Sequence, residues 1–195
     1  MHHHLLLAIT GLLLGRTPMA AQQAEYDIVK GDKVIGRIVA LKQERQARTF
    51  YAMTSFAQFD LVLRKTIRTN LVTEYEGGQL YFCHTSIRVN NNLRDSSHMA
   101  YHHGDWHRYV HPGPGERRQD TATWTTARMY FEEPVDQPTI YVESVLAHCP
   151  LIGLGGGRYR LVLPDKSENL YAYRGGVLHE VFVDRTLVDL VFRRR

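Results

Sequence analysis

The stretch RYRLVLPDKSENLYAYRGGVLHEVFVDRTLVDLVF, residues 158–192, decides the fold. Tyr159, Leu161 and Leu163 share one phase of a two-residue period against Arg160 and Val162, and Val188, Leu190 and Phe192 alternate with Asp189 and Val191. Successive side chains of a strand point to opposite faces, so this pattern describes strands with one buried face. Pro164-Asp165-Lys166-Ser167, Arg174-Gly175-Gly176 and Asp184-Arg185 break the alternation with turn chemistry. The stretch therefore predicts a four-stranded meander over 158–163, 170–173, 177–183 and 187–192.

The same grammar extends toward the N-terminus. Lys30-Gly31-Asp32-Lys33, Glu76-Gly77-Gly78-Gln79, Asn90-Asn91-Asn92 and His103-Gly104-Asp105 supply residues that tolerate positive φ, as tight hairpins require. Between them, 34–41, 64–75, 80–89, 99–102 and 106–110 are rich in Val, Ile, Thr, Tyr and Phe. The expected fold is all-β with at most one or two short helices: a single curved antiparallel sheet or open barrel of meander topology with nine to eleven strands. A short helix is expected over 121–129, stopped near Glu133-Pro134, because the residue before a proline disfavours the helical region. Residues 134–157, with Pro138, Pro150 and a glycine run, are expected to make a long excursion over one end of the sheet.

Leu5 to Leu14 is an apolar run of the length of a signal-peptide core, too short to span a bilayer, and Ala20 and Ala21 follow before Gln22. The expectation is a signal peptide over 1–21, a single β-rich domain over 22–195, and export to a periplasmic or extracellular space. The net charge of +4 is mild and its arginines are scattered. That argues against a nucleic-acid partner and is compatible with peripheral contact to anionic headgroups. Cys83 and Cys149 are not spaced as a metal pair, and in an oxidising compartment either a disulfide between them or buried thiols would be stable.

The order Tyr26-Asp27-Ile28 with Gly36, Glu74 to Leu80, Trp106 and Tyr109, Tyr130-Phe131-Glu132-Glu133-Pro134, then Tyr159 to Asp165 and Tyr171 to Gly176 resembles a family of exported bacterial proteins carrying only a domain of unknown function. The resemblance spans nearly the whole chain after the apolar run and implies a fold, not a chemistry. More distantly the pattern is similar to periplasmic proteins with an open, curved antiparallel sheet. One is the lipoprotein carrier LolA, whose concave face holds acyl chains, which implies a concave ligand face.

His98, His102, His103, His107 and His111 form a dense cluster of imidazoles, the commonest biological metal ligand. On a hairpin turning at Gly104-Asp105, His102 and His107 come near one another with Asp105 beside them. No Cys or Glu completes a recognised ligand spacing, so a polar hairpin tip is preferred over a metal site, and no cofactor is expected. Glu132 and Glu133 are adjacent and on a strand would point to opposite faces. Glu143-Ser144 with His148 and His179 permits a Ser and His pairing, but no Gly-x-Ser-x-Gly elbow supports a hydrolase, and Glu143 is better read as tying down a loop. Gly153 to Gly157 precedes a strand, where a phosphate loop would open a helix.

These observations favour a non-enzymatic envelope protein binding a lipid-like or other apolar ligand, with Tyr141, Val145, Leu146, Leu151 and Ile152 lining the cavity mouth. The alternatives are a structural or protein-interaction module of the envelope, and a metal-dependent enzyme using the histidine cluster. A lined cavity favours the first; a filled core with an apolar patch favours the second.

Overall fold

The computed structural model describes residues 21–60, 64–117, 121–184 and 189–195. The apolar run from Leu5 to Leu14 lies outside them. The first eight strands run in chain order: β1 (Ala21–Lys30), β2 (Lys33–Arg45), β3 (Arg48–Asp60), β4 (Arg64–Glu76), β5 (Gln79–Val89), β6 (Asn92–His102), β7 (Asp105–Val110) and β8 (Gly115–Arg117). Among the described residues one 3-10 turn, Arg128–Tyr130, separates these from β9 (Thr139–Val142), β10 (Ala147–Gly155), β11 (Arg158–Val162), β12 (Glu168–Arg174), β13 (Val177–Val183) and β14 (Leu190–Arg194).

All fourteen belong to one unclosed antiparallel sheet, in the order β8-β7-β6-β5-β4-β3-β2-β1-β14-β13-β12-β11-β10-β9. Sheet neighbours are consecutive in the chain except at the centre, where β1 pairs with β14, Ile28 opposite Phe192, and the consecutive strands β8 and β9 stand at the two opposite edges. The C-terminal meander forms as the alternation predicts, with Tyr159 opposite Tyr171 and Tyr171 opposite Val181.

Hairpin chemistry sets the registers. Gly77-Gly78, Asn90-Asn91, His103-Gly104, Gly156-Gly157 and Gly175-Gly176 all carry positive φ at both residues. That is the turn whose twist matches paired strands. Gly157 is required twice over: its φ is +70°, and a Cβ there would stand 2.7 Å from the Tyr173 carbonyl oxygen. At Gly36, a Cβ would meet the Phe56 carbonyl oxygen at 2.1 Å, so only glycine lets β2 and β3 pack this closely.

The strand count exceeds the expected nine to eleven for identifiable reasons. The β2–β3 turn at Gln46-Ala47 has no Gly, Pro or Asn, and Gln46 itself adopts φ 53°. That leaves β3 without a leading punctuation signal. The expected helix over 121–129 shrinks to one 3-10 turn, because Thr125 bridges Tyr141 in parallel fashion and holds the preceding backbone extended. The expected excursion over 134–157 is corrected more strongly: most of it is the β9–β10 hairpin, integrated at the edge of the sheet.

The core lies on the inward face and divides into two clusters. One gathers Tyr26, Ile38, Met129, Ile140, Leu161, Leu178 and Val181; the other gathers Tyr51, Leu71, Leu80, Cys83, Met99, Tyr141 and Leu146. Cys83 belongs to the second and Cys149 to the first, both as buried thiols, so the disulfide alternative is not realised.

Candidate functional site

The inward face is filled by the protein's own chain. The Leu80 N–H donates to the Ala122 carbonyl, the Tyr141 N–H to the Trp124 carbonyl, and the Thr126 N–H to the Tyr141 carbonyl. These bonds stitch residues 121–127 between β5 and β9. The β9–β10 turn then reaches β4, β6 and β7. Glu143, fully buried, accepts hydrogen bonds from the Thr126 hydroxyl, the Thr126 N–H (3.2 Å), the Ala127 N–H (3.0 Å) and the Thr73 hydroxyl (3.4 Å). The Ser97 hydroxyl donates to the Glu143 carbonyl, the Arg108 guanidinium to the Leu146 carbonyl, and the Tyr141 hydroxyl to the Met99 sulfur. Glu143 is thus a structural tie, as its sequence context suggests.

This packing decides the fate of the expected ligand residues. Tyr141, Leu146 and Leu151 are buried core, Val145 packs against the first cluster, and Ile152 is exposed. A cavity does exist near them, about 500 Å3 in volume, but Pro134, Val135, Asp136, Gln137, Pro138, Gly153, Gly155, Gly157, Arg158 and Tyr159 line it. Its site is the rim of the sheet, between a proline-bounded loop and the β10–β11 hairpin. The segment expected to carry the cavity mouth carries most of it; the five residues named for it do not line it.

The walls are held by local bonds. Gln137 N–H donates to the Pro134 carbonyl and Val135 N–H to the Glu133 carbonyl, curling the loop, while the Leu151 N–H donates to the Pro138 carbonyl and pins its end to β10. Tyr159 donates its hydroxyl to Glu133 at 2.8 Å and packs edge-on against Tyr173, whose hydroxyl donates to the Met129 carbonyl at 2.7 Å. Burial, with the Glu133 carboxylate beside it, pushes the Tyr159 phenol up to about 12, so it keeps its proton at neutral pH. Arg158 and Asp136 supply opposite charges at the lining, and Val135, Pro134 and Pro138 supply its apolar part.

Glu132 and Glu133 follow the 3-10 turn and are not on the expected strand, and they bind different partners. Glu132 accepts from Tyr51, Lys42 and Arg128, at 2.8, 3.1 and 2.8 Å. Burial raises its carboxyl, but these three donors outweigh burial and hold it below the usual carboxylate value.

The histidines divide between the β6–β7 hairpin end and the strands behind it. His102 lies 3.9 Å from His103 with the rings tilted and stands 6.4 Å from His107 between ring centroids, while Asp105 pairs with Arg117. Among the described residues no group of three or more His, Cys, Asp or Glu is arranged to hold a metal ion. The histidine-enzyme alternative therefore finds no cluster of that kind in this hairpin. His111 bonds the Tyr109 hydroxyl at 3.0 Å, and His148 packs edge-on against Tyr141. His98 faces His84 on the next strand, a partnership the sequence cluster does not reveal.

Comparison with known proteins bears on the fold. A model of a domain of unknown function, DUF6134, matches residues 26–195, and the chain belongs to that family. No curated protein sequence matches the chain significantly. Among solved structures, the chain is similar to a β-barrel-like protein of another domain of unknown function, DUF1849, from Brucella abortus. The TM-score is 0.54 and the identity 10%, over 89% of this chain and 95% of that one. At that identity the likeness is one of architecture.

Proposed function

We propose that this DUF6134 protein is a non-catalytic, exported envelope protein that binds an apolar-bodied ligand bearing an acidic group at the rim cavity. The observation carrying this reading is the cavity itself, about 500 Å3 and built from chain segments that meet only in the fold. That volume lies within the roughly 300–1,000 Å3 of small-molecule sites, which combine apolar lining with a few placed polar groups. Val135, the two prolines and the Tyr159 ring suit an apolar body, and Arg158 suits a carboxylate or similar acid. The Tyr159 phenol, still protonated at neutral pH, fits a binding role better than a nucleophilic one.

The filled inward face redirects the acyl-chain analogy from the concave surface to the rim. A protein-interaction reading has its own support, since Leu41, Ala52 and Val72 lie in one register row of the outward face, with Leu41 and Val72 exposed.

Mass spectrometry of small molecules co-purifying with the protein from its native compartment tests the proposal. Gly153 has open space where a Cβ would stand, so Gly153→Phe adds bulk at the cavity without a backbone clash. An acidic amphiphile should accompany wild-type protein and be lost from Gly153→Phe and Arg158→Ala, with both variants as stable as wild type. A ligand retained equally by all three, or none in any, contradicts the rim site and favours the outward face as the working surface.

A further inference from the structure

We propose that His84 and His98 form a divalent-metal site on the outward face of the sheet, taking a borderline ion such as zinc with solvent completing its coordination. The register places the two residues directly opposite one another on β5 and β6, so their Cα positions are fixed by the ladder. Their rings stand 6.1 Å apart between centroids. With metal–nitrogen bonds of about 2.0–2.1 Å, two imidazoles on one ion have centroids about 5 Å apart in a tetrahedral arrangement and about 6.5 Å in a linear one. The observed spacing falls between these limits; the 6.4 Å of His102 and His107 does too, but His102 is exposed at the hairpin end, whereas His84 and His98 are both half-buried.

The surroundings fit a ligand role. Both side chains are half-buried yet on the outward face, walled by Phe82, whose ring meets His98 edge-on at 5.3 Å, and flanked in the same register row by Val72 and Tyr109. Neither imidazole makes a hydrogen bond or ion pair among the described residues, whereas the rings of His111 and His148 are engaged by Tyr109 and Thr121. No carboxylate stands opposite either histidine in the adjoining strands. An all-imidazole donor pair favours zinc, copper or nickel over calcium or magnesium. Two protein ligands make an open site, in which water or a ligand side group occupies the remaining positions.

Zinc titration by calorimetry is the test. The full chain carrying His2→Ala, His3→Ala and His4→Ala serves as background, to remove the terminal histidines. One equivalent of zinc should bind saturably. Either His84→Ala or His98→Ala should weaken that binding by at least ~10-fold, as loss of a direct ligand must match or exceed loss of an outer partner. His102→Ala with His107→Ala should leave it unchanged. Because both positions face outward, the variants should keep the wild-type circular dichroism. His98→Gln, which retains polarity, guards against a folding artefact by giving the same loss. No saturable zinc binding in the background protein, or binding that survives His84→Ala and vanishes in the His102 and His107 variant, overturns the site.

Discussion

Glu143 shows how one residue organises the interior. Its carboxylate gathers two backbone N–H groups and two hydroxyls from β4 and residues 126–127, and its own carbonyl accepts from Ser97. Removing it strands buried donors, each worth about 1–3 kcal/mol when unsatisfied. Glu143→Ala should therefore destabilise the protein by more than about 3 kcal/mol, with Glu143→Gln costing less because one oxygen and the shape remain. Urea unfolding checks this as a lower midpoint at an unchanged slope. A loss under about 1 kcal/mol for the alanine variant would mean the tie is not formed. In the sequence, Glu143 is legible as a loop anchor because it stands in an irregular, proline-flanked stretch. Its partners are not, since Thr73 and Ser97 lie 70 and 46 residues away. The His84 and His98 pair is hidden for the same reason: the histidine run draws attention to local neighbours, while the strand ladder selects a different one.

At the scale of elements, alternation and turn residues carry the prediction wherever both are present. The strands β11 to β13 are read close to their observed bounds, and β14 runs Leu190–Arg194 against an expected 187–192, of which 187 and 188 lie outside the described residues. Leu161, on the inward phase, is fully buried. Leu161→Ala should cost about 2–5 kcal/mol in thermal or chemical unfolding. Gly157→Ala should also destabilise, because it adds a strained positive φ to a contact with the Tyr173 carbonyl oxygen; Gly153→Ala, with open space and no such φ, should not. Equal stability of the two alanine variants would refute that reading of the hairpin. Where alternation lacks punctuation, as at Gln46-Ala47, the element is missed. Where prolines and glycines suggest a loop, as over 134–157, local hairpin pairing of β10 with β9 and β11 builds strands instead. The rim cavity lies between the two ends of that segment, 134–138 and 153–157, and the first residues of β11, Arg158 and Tyr159; residue patterning marks the two ends as irregular without showing that they meet.

For the whole molecule, buried phenols and the half-buried Glu132 shape the response to pH. Burial is the leading cause that raises the phenols of Tyr26, Tyr51, Tyr75, Tyr130 and Tyr173 above the ordinary value. Unfolded phenols ionise near pH 10, so the unfolded state sheds protons first. Stability is then fully present below about pH 10 and falls as pH rises further. Tyrosinate absorbance should appear together with loss of circular dichroism, not before it. Glu132 acts at the other end: its folded carboxyl lies below the usual value, so its contribution is present above the unfolded carboxylate range and lost as pH falls through the folded one. Glu132→Gln should flatten that part of the acid profile. If the inward face of the sheet is filled by residues 121–151 and the rim holds the cavity, hydrogen exchange of the free protein shows it. Residues 139–151 should be as protected as β11 to β13, while 134–138 and the glycine turn at 155–157 exchange fast. Rapid exchange of 139–151 together with the rim loop, ahead of the meander, would contradict it and return that segment to the role of a movable cover.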